Sequence, residues 1–364
     1  MSSSKLTSIF SCYNLDPFIS TVREILPYAG YSDSAFFLCE FENVEFLTKL
    51  SLYKKTIPEI YKTNITMPNE TLMTNPYDVE IEVLKILKKQ IIDTNISPCI
   101  LELLFYKRCE SIDSIMPEPS ICDKHMFEKP AGTARDFLNR KICKHSDLVD
   151  SGLAHKKFSF LVLEECDITF HNYLSHYIDE SPIDFEIFKS LMFQIIYTIH
   201  SIQKIYPQFH HGDLHGDNIM LKFDSDYVFG AGNPKFMTFY IDDEQYNVPY
   251  FGMVCKIIDF GFSSIPEEGI RSYISQDLQR MFMHSFNDLL FLFYDIYKIA
   301  GLHANVKSFL IEIEPNKTFI HHNVKYIKKI ADKIPTAKEM LFHDLFSQYK
   351  TDVKPEFVWH EYKK

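Results

Sequence analysis

Glycine is scarce in this chain, with 11 among 364 residues. No G-x-G-x-x-G occurs, and no low-complexity or repeat tract interrupts an ordinary globular composition. No C-x-x-C pair is present among the eight scattered cysteines. With no signal-peptide-like apolar region near MSSSKLTSIF, the expectation is reduced thiols in a cytosol-like compartment. Long apolar runs are missing too. FSFLVL and LLFLFY fall far short of the ~20 residues that span a bilayer, so no membrane span is expected. Excess positive charge is also lacking: the net charge is -11. Nucleic-acid affinity rests on Lys and Arg neutralising phosphates, so nucleic acid is not expected as the main partner. An acidic surface suits a partner with basic segments.

What is present is a full complement of core material: 46% apolar and 15% aromatic residues. That is enough for one large domain or two lobes. The first hundred residues read as strands and then a helix. Segments 35–41 and 44–53 are short and β-prone around the turn Phe41-Glu42-Asn43, a hairpin signal, and 22–31 is a candidate strand before them. Residues 75–91 place Val79, Val83, Ile86 and Leu87 at helical spacing, with Asn75 or Asp78 as the cap. Strands are expected again at 100–107 and 157–166. Residues 108–155 show no sustained periodicity and read as an insertion. In 185–202 the apolar positions follow one helical face, and 222–253 reads as a second insertion. Segment 254–264 is a strand running into a loop. NDLLFLFYDIYKI, 287–299, is apolar nearly all round and reads as a buried helix.

The stretch HHGDLHGDNIML, His210 to Leu221, concentrates titratable side chains directly after the long helix. It could be a polar capping loop. It could also hold a transition metal through His210, His211, Asp213, His215 and Asp217, but it lacks an ordered spacing such as H-E-x-x-H. The third reading is phosphoryl transfer. His211, Asp213 and Asn218 fit H-x-D-x-x-x-x-N, and an apolar strand later runs into Asp259-Phe260-Gly261. In that order the two motifs resemble the catalytic loop and metal-binding motif of the protein-kinase superfamily.

The resemblance implies an α+β, bilobal kinase-like fold. Residues 1–163 would form a small β-rich N-lobe with one helix. Residues 164–364 would form a larger, reduced, mainly helical C-lobe carrying the catalytic loop (211–218) and D-F-G (259–261). ATP and Mg²⁺, or Mn²⁺, are the implied cofactors. Asp213 would accept the hydroxyl proton, while Asn218 and Asp259 would supply oxygen ligands to the metal. His211 would support the loop, and His215 stands where many protein kinases have a lysine near the γ-phosphate. Lys49 takes the place of the V-A-I-K lysine, and Glu80 or Glu82 that of its partner, with Glu80 preferred because it leaves Leu84 and Leu87 for the core. Gly30 and Ser32 stand in the region of the glycine-rich loop. Leu163 would lie beside adenine, with Glu164 to Cys166 as the hinge. Asp288 matches the aspartate that props the catalytic loop from below.

The sequence departs from the superfamily in places. Gly212 replaces the arginine of H-R-D, so activity is not expected to depend on phosphorylation after Asp259, for example at Ser263, Ser264, Ser272 or Ser275. There is no A-P-E. The form HGDLHGDN also resembles aminoglycoside and choline phosphotransferases, and the missing glycine loop suits a pseudokinase scaffold. KIIDFGFSS, the long insertion before it and KEMLFHDLFSQY resemble the serine/threonine kinases of large DNA viruses, of the poxvirus morphogenesis and giant-virus type. That likeness implies a protein substrate, the host cytoplasm and packaging in virions. Finally, Cys122/His125 and Cys143/His145 in the first insertion offer a structural zinc alternative to unpaired cysteines and surface histidines.

Overall fold

A computed structural model describes residues 3–26, 34–55, 75–122, 132–176, 182–227, 235–271, 287–299, 302–316, 334–351 and 358–362. The chain is α+β and divides into two compact units. The first joins residues 1–70 to 102–165, and the second joins 71–101 to 166–364.

The first unit is built on an antiparallel sheet ordered β1-β2-β3-β5-β4. The strands are β1 (Val22–Leu26), β2 (Ser34–Phe41), β3 (Val44–Lys54), β4 (Leu103–Cys109) and β5 (Ala154–Leu163). The β2–β3 turn puts Glu42 and Asn43 at positive φ, as two-residue hairpin turns require. Strand alternation then sorts the side chains. Phe37, Phe46, Leu50, Phe158, Phe160 and Val162 belong to one packed cluster. Covering them are α1 (Ser3–Ile9), α2 (Asp16–Ile19) and α4 (Ala134–Asp150), through Phe10, Phe18, Leu138 and Ile142. Edge and tilted ring contacts run from Phe10 and Phe18 to Phe160, which suits aromatic packing at these separations.

Two expectations change here. The stretch 108–155, read as an insertion without periodicity, contains a helix: α4 spans 17 residues and is capped by Thr133, whose side chain accepts from Asp136 N–H. Its buried stripe is narrow, chiefly Leu138, Ile142 and Cys143, which is why its periodicity was faint. The cysteines are not all thiols. Cys12 is bonded to Cys109, and Cys122 to Cys143. Both disulfides fasten the covering layer: one ties the α1–α2 connection to the end of β4, the other ties a short turn to α4. The zinc alternative therefore loses two sulfur ligands. His145 is occupied with the His155 carbonyl at 2.8 Å, and His125 lies outside the described residues.

The second unit contains α3 (Pro76–Leu87), α5 (Phe170–His176), α6 (Pro182–Ile205), α7 (Asn287–Tyr297), α8 (Ala304–Ile313) and α9 (Ala337–Leu341). Helix α3 starts where Asn75 accepts from Tyr77 N–H, so Asn75 is the cap, and it passes into a π-helical turn at Lys88–Ile92. Helix α6 is the axis of the core: Phe188, Leu191, Met192, Phe193, Ile196 and Ile199 are buried. The antiparallel pair β7 (Ile219–Phe223) and β10 (Met253–Ile257) is joined at its edge by β6 (Ile168–Thr169). The expected second insertion holds a hairpin, β8 (Lys235–Ile241) with β9 (Glu244–Tyr250), whose turn residues Asp242 and Asp243 have positive φ. A further strand, Val358–Tyr362, adds to β8 in parallel. Helix α7 is mostly buried, as its composition predicts, except that Phe291 is 45% exposed.

Candidate active site

The catalytic-loop motif follows α6 after the Tyr206–Phe209 turn and is pinned at both ends. At its start, His210 exchanges two backbone hydrogen bonds with Ser264, at 3.1 and 2.8 Å. At its end, Ile258 N–H donates to the Asn218 carbonyl at 3.0 Å, continuing the β7–β10 ladder by one step. Asn218 and Asp259 thus leave neighbouring strand ends.

Between these ends the loop's polar groups are satisfied from within the unit. Asp288, buried at the start of α7, accepts from His211 N–H (2.7 Å) and Gly212 N–H (3.0 Å). This is the propping position that the resemblance implied. His211 is fully buried. Its Nε2 meets the Ile258 carbonyl at 2.8 Å, its Nδ1 accepts from Asp213 N–H, and its ring lies 4.9 Å from that of Phe260. With Nδ1 accepting, Nε2 carries the proton and donates it to Ile258.

Asn218 is 8% exposed and donates through Nδ2 to the Asp213 carbonyl (2.8 Å) and carboxylate (3.3 Å). The Asp213 carboxylate also faces His215 Nε2 at 3.6 Å. Burial pulls the His215 pKa down, but the hydrogen bond and charge of Asp213, with Asp295 and Asp217 beyond, outweigh it and raise it overall.

Asp259 adopts the left-handed conformation, φ 59 and ψ 63. For a residue with a side chain this costs of order 1–3 kcal/mol, and such strain concentrates at functional sites. A tight 3₁₀ turn, Phe260–Phe262, follows, and α3 packs on it, with Pro76 against Gly261. Glu80 on α3 is 3% exposed, whereas Glu82 is engaged by Lys85 at 2.7 Å.

In the first unit, Lys49 is 6% exposed on β3. Its ammonium lies over the Phe36 ring, 5.6 Å from the centroid. Its strand partners are Phe36 and Leu161, and Leu163 pairs with Leu47 two residues along, so Lys49 and Leu163 share one face of the sheet. That face is opposite the phenylalanine cluster. Glu164 is buried and accepts from Glu102 N–H at 2.8 Å. The first unit ends at Glu165 and the second resumes at Cys166. Gly30 and Ser32 lie outside the described residues.

The chain is similar to giant-virus proteins named as kinases. Two proteins of Acanthamoeba polyphaga mimivirus, each named a "putative serine/threonine-protein kinase", align with it. One is 24% identical over 342 residues, which cover 88% of this chain and 80% of the relative. The other is 25% identical over 228 residues, 62% of this chain and 43% of the relative. No protein-family model matches the chain.

Three features of this site escaped the sequence reading. Gly212 has φ +83, and a Cβ there would run into the Phe262 carbonyl oxygen. The glycine that breaks H-R-D is therefore required by the local backbone. Ser263 and Ser264, considered as phosphorylation sites, are fully buried, and their hydroxyls bond the His211 and Ile270 carbonyls. Ser272 and Ser275 lie outside the described residues. Asp295, seven residues after Asp288, accepts from Gly216 N–H at 2.8 Å. Its signal was the i, i+7 spacing of two aspartates on an otherwise apolar helix.

Proposed function

We propose that the chain is an ATP- and Mg²⁺-dependent protein kinase with a bilobal kinase-like architecture, transferring phosphate to serine and threonine hydroxyls of viral or host proteins. The observation that carries this reading is the Asn218–Asp213 hydrogen bond beside the strand end that delivers Asp259. It gathers one candidate base and two candidate metal ligands from separate parts of the sequence.

In this reading the acceptor oxygen forms a bond to the γ-phosphorus as the bond from that phosphorus to the β–γ bridging oxygen breaks. ADP leaves, and the hydroxyl proton passes to the Asp213 carboxylate. Asn218 spends its Nδ2 donor on Asp213, which leaves Oδ1 as a hard oxygen donor. With the Asp259 carboxylate it makes a donor set suited to Mg²⁺, which typically takes one or two carboxylates plus phosphate oxygens and water. Bound Mg²⁺ would neutralise phosphate charge. Lys49 would hold the α- and β-phosphates, with Glu80 orienting it. Leu163 and the Glu164–Cys166 stretch would flank adenine.

Gly212 favours one second reading, a small-molecule phosphotransferase, because the loop backbone is built for glycine as in HGDLHGDN. Labelled γ-phosphate transfer from ATP onto protein and small-molecule panels, with Asp213→Asn as the control, separates the two. Label on proteins that disappears in the variant supports the kinase. Label only on small molecules supports the second reading, and nucleotide binding without any transfer indicates a scaffold.

A further inference from the structure

The loop contains the same tripeptide twice, His211-Gly212-Asp213 and His215-Gly216-Asp217, four residues apart. The geometry repeats with the sequence. In each copy the histidine Nδ1 accepts the N–H of the aspartate two residues on, at 3.3 Å both times. In each copy the glycine N–H is taken by an aspartate of α7, Gly212 by Asp288 at 3.0 Å and Gly216 by Asp295 at 2.8 Å. Positions 288 and 295 are two helical turns apart and so lie on one face. The second turn has little slack: a Cβ on Gly216 would stand 3.0 Å from Asp295 Oδ2 and 3.0 Å from the His171 Cβ.

What Asp295 holds leads directly to the candidate chemistry. Gly216 opens the 3₁₀ turn that ends at Asn218. Within it Asn218 N–H donates to the His215 carbonyl at 2.9 Å, and the Asn218 side chain reaches back to Asp213. We propose that Asp295 is a positioning residue for phosphoryl transfer: by holding Gly216 it fixes the turn that sets Asn218 against Asp213. The proposal rests on the phosphotransferase reading. Asp295 touches neither reacting atom nor metal; it acts through the backbone. Small displacements of a reacting group cost up to about 10²-fold in rate.

The test is a pair of variants. Asp295→Ala removes the acceptor for Gly216 N–H and should lower kcat about 10- to 100-fold, with KM for the acceptor substrate nearly unchanged. Asp295→Asn keeps a carbonyl oxygen in place and should restore most of kcat. Hydrogen exchange at Gly216, read on the folded full chain, should speed up in the alanine variant and not in the asparagine variant. Exchange needs no turnover, so it tests the hold on the loop even if the phosphotransferase reading fails; absence of transfer by wild type would mark that separate failure. A wild-type kcat in Asp295→Ala overturns the proposal. So does an equal loss of kcat and thermal stability in both variants, or unchanged exchange at Gly216 in Asp295→Ala.

Discussion

The Phe262 carbonyl oxygen occupies the space that a Cβ on Gly212 would need, and Gly212 itself sits at φ +83. Restoring the arginine of H-R-D should therefore damage the loop. A non-glycine residue in the left-handed region costs about 1–2 kcal/mol by itself, and the collision adds to it. Gly212→Arg and Gly212→Ala should both unfold several degrees below wild type and lose activity. Thermal unfolding of the two variants checks this. A Gly212→Arg protein as stable as wild type would mean that the loop backbone is not as described.

Asp213 and Asp259 should fail in different ways. Asp213→Asn keeps the size and much of the hydrogen bonding but removes the base, so turnover should fall by about 10²–10⁴-fold while ATP binding persists. Asp259→Ala removes a candidate metal ligand, so Mg·ATP binding should weaken as well. Calorimetric titration beside a transfer assay separates the two, and full activity of Asp213→Asn would remove that residue from the mechanism.

The sequence revealed the loop and the helices α3, α6 and α7 because their signals are local. The i, i+3, i+4 stripe of α6 and the H-x-D-x-x-x-x-N spacing both lie within one stretch of chain. It did not reveal what depends on distant partners. Nothing near Gly212 announces the Phe262 carbonyl, 50 residues later. Nothing near Cys12 announces Cys109, 97 residues away. Helix α4 was missed for another reason: its buried stripe is only a few residues wide, and the rest is polar. The β8–β9 hairpin was hidden because the middle of both strands is buried, which removes the alternation that marks a half-exposed strand.

The disulfides give a direct chemical count. Of eight cysteines, four are in Cys12–Cys109 and Cys122–Cys143, leaving Cys39, Cys99, Cys166 and Cys255 as thiols. Protein denatured without reductant should react as four thiols, and as eight after reduction. Each bridge closes a loop long enough for about 3 kcal/mol or more in the chain-entropy account, so reduction should lower the unfolding temperature of the first unit. Eight thiols without reduction would show that the bridges do not form.

Lys49 is a lysine inside a central strand, nearly covered and set over an aromatic ring. Burying an ammonium carries a desolvation cost that its surroundings must offset, so the value of this lysine lies in positioning rather than in stability. Lys49→Met keeps the stem and removes the charge. Thermal stability should change little, and phosphate transfer should nearly vanish. Glu80→Gln should give a milder loss of turnover. Wild-type transfer by Lys49→Met would remove Lys49 from the phosphate-binding role.

His200 supplies a pH dependence unconnected with catalysis. It lies on α6, and its pKa is lowered to about 4, first by burial and then by the Lys204 and Lys338 charges; Asp242 opposes them. The unfolded chain would protonate this histidine near 6.5. Between pH 6.5 and 4 the unfolded state therefore binds a proton that the folded state refuses, so stability falls as pH falls through that window. Above pH 6.5 both states are neutral and His200 contributes no slope. Below about 4 both are charged and the loss is complete, roughly 3–3.5 kcal/mol at 1.36 kcal/mol per pKa unit. His200→Gln cannot titrate. Other groups titrate alike in both proteins and cancel when the two unfolding free energies are subtracted. Urea unfolding at steps from pH 7 to pH 4 should show wild type losing ground to His200→Gln across the window. Parallel curves would mean that His200 takes up its proton in the folded protein as readily as in the unfolded chain.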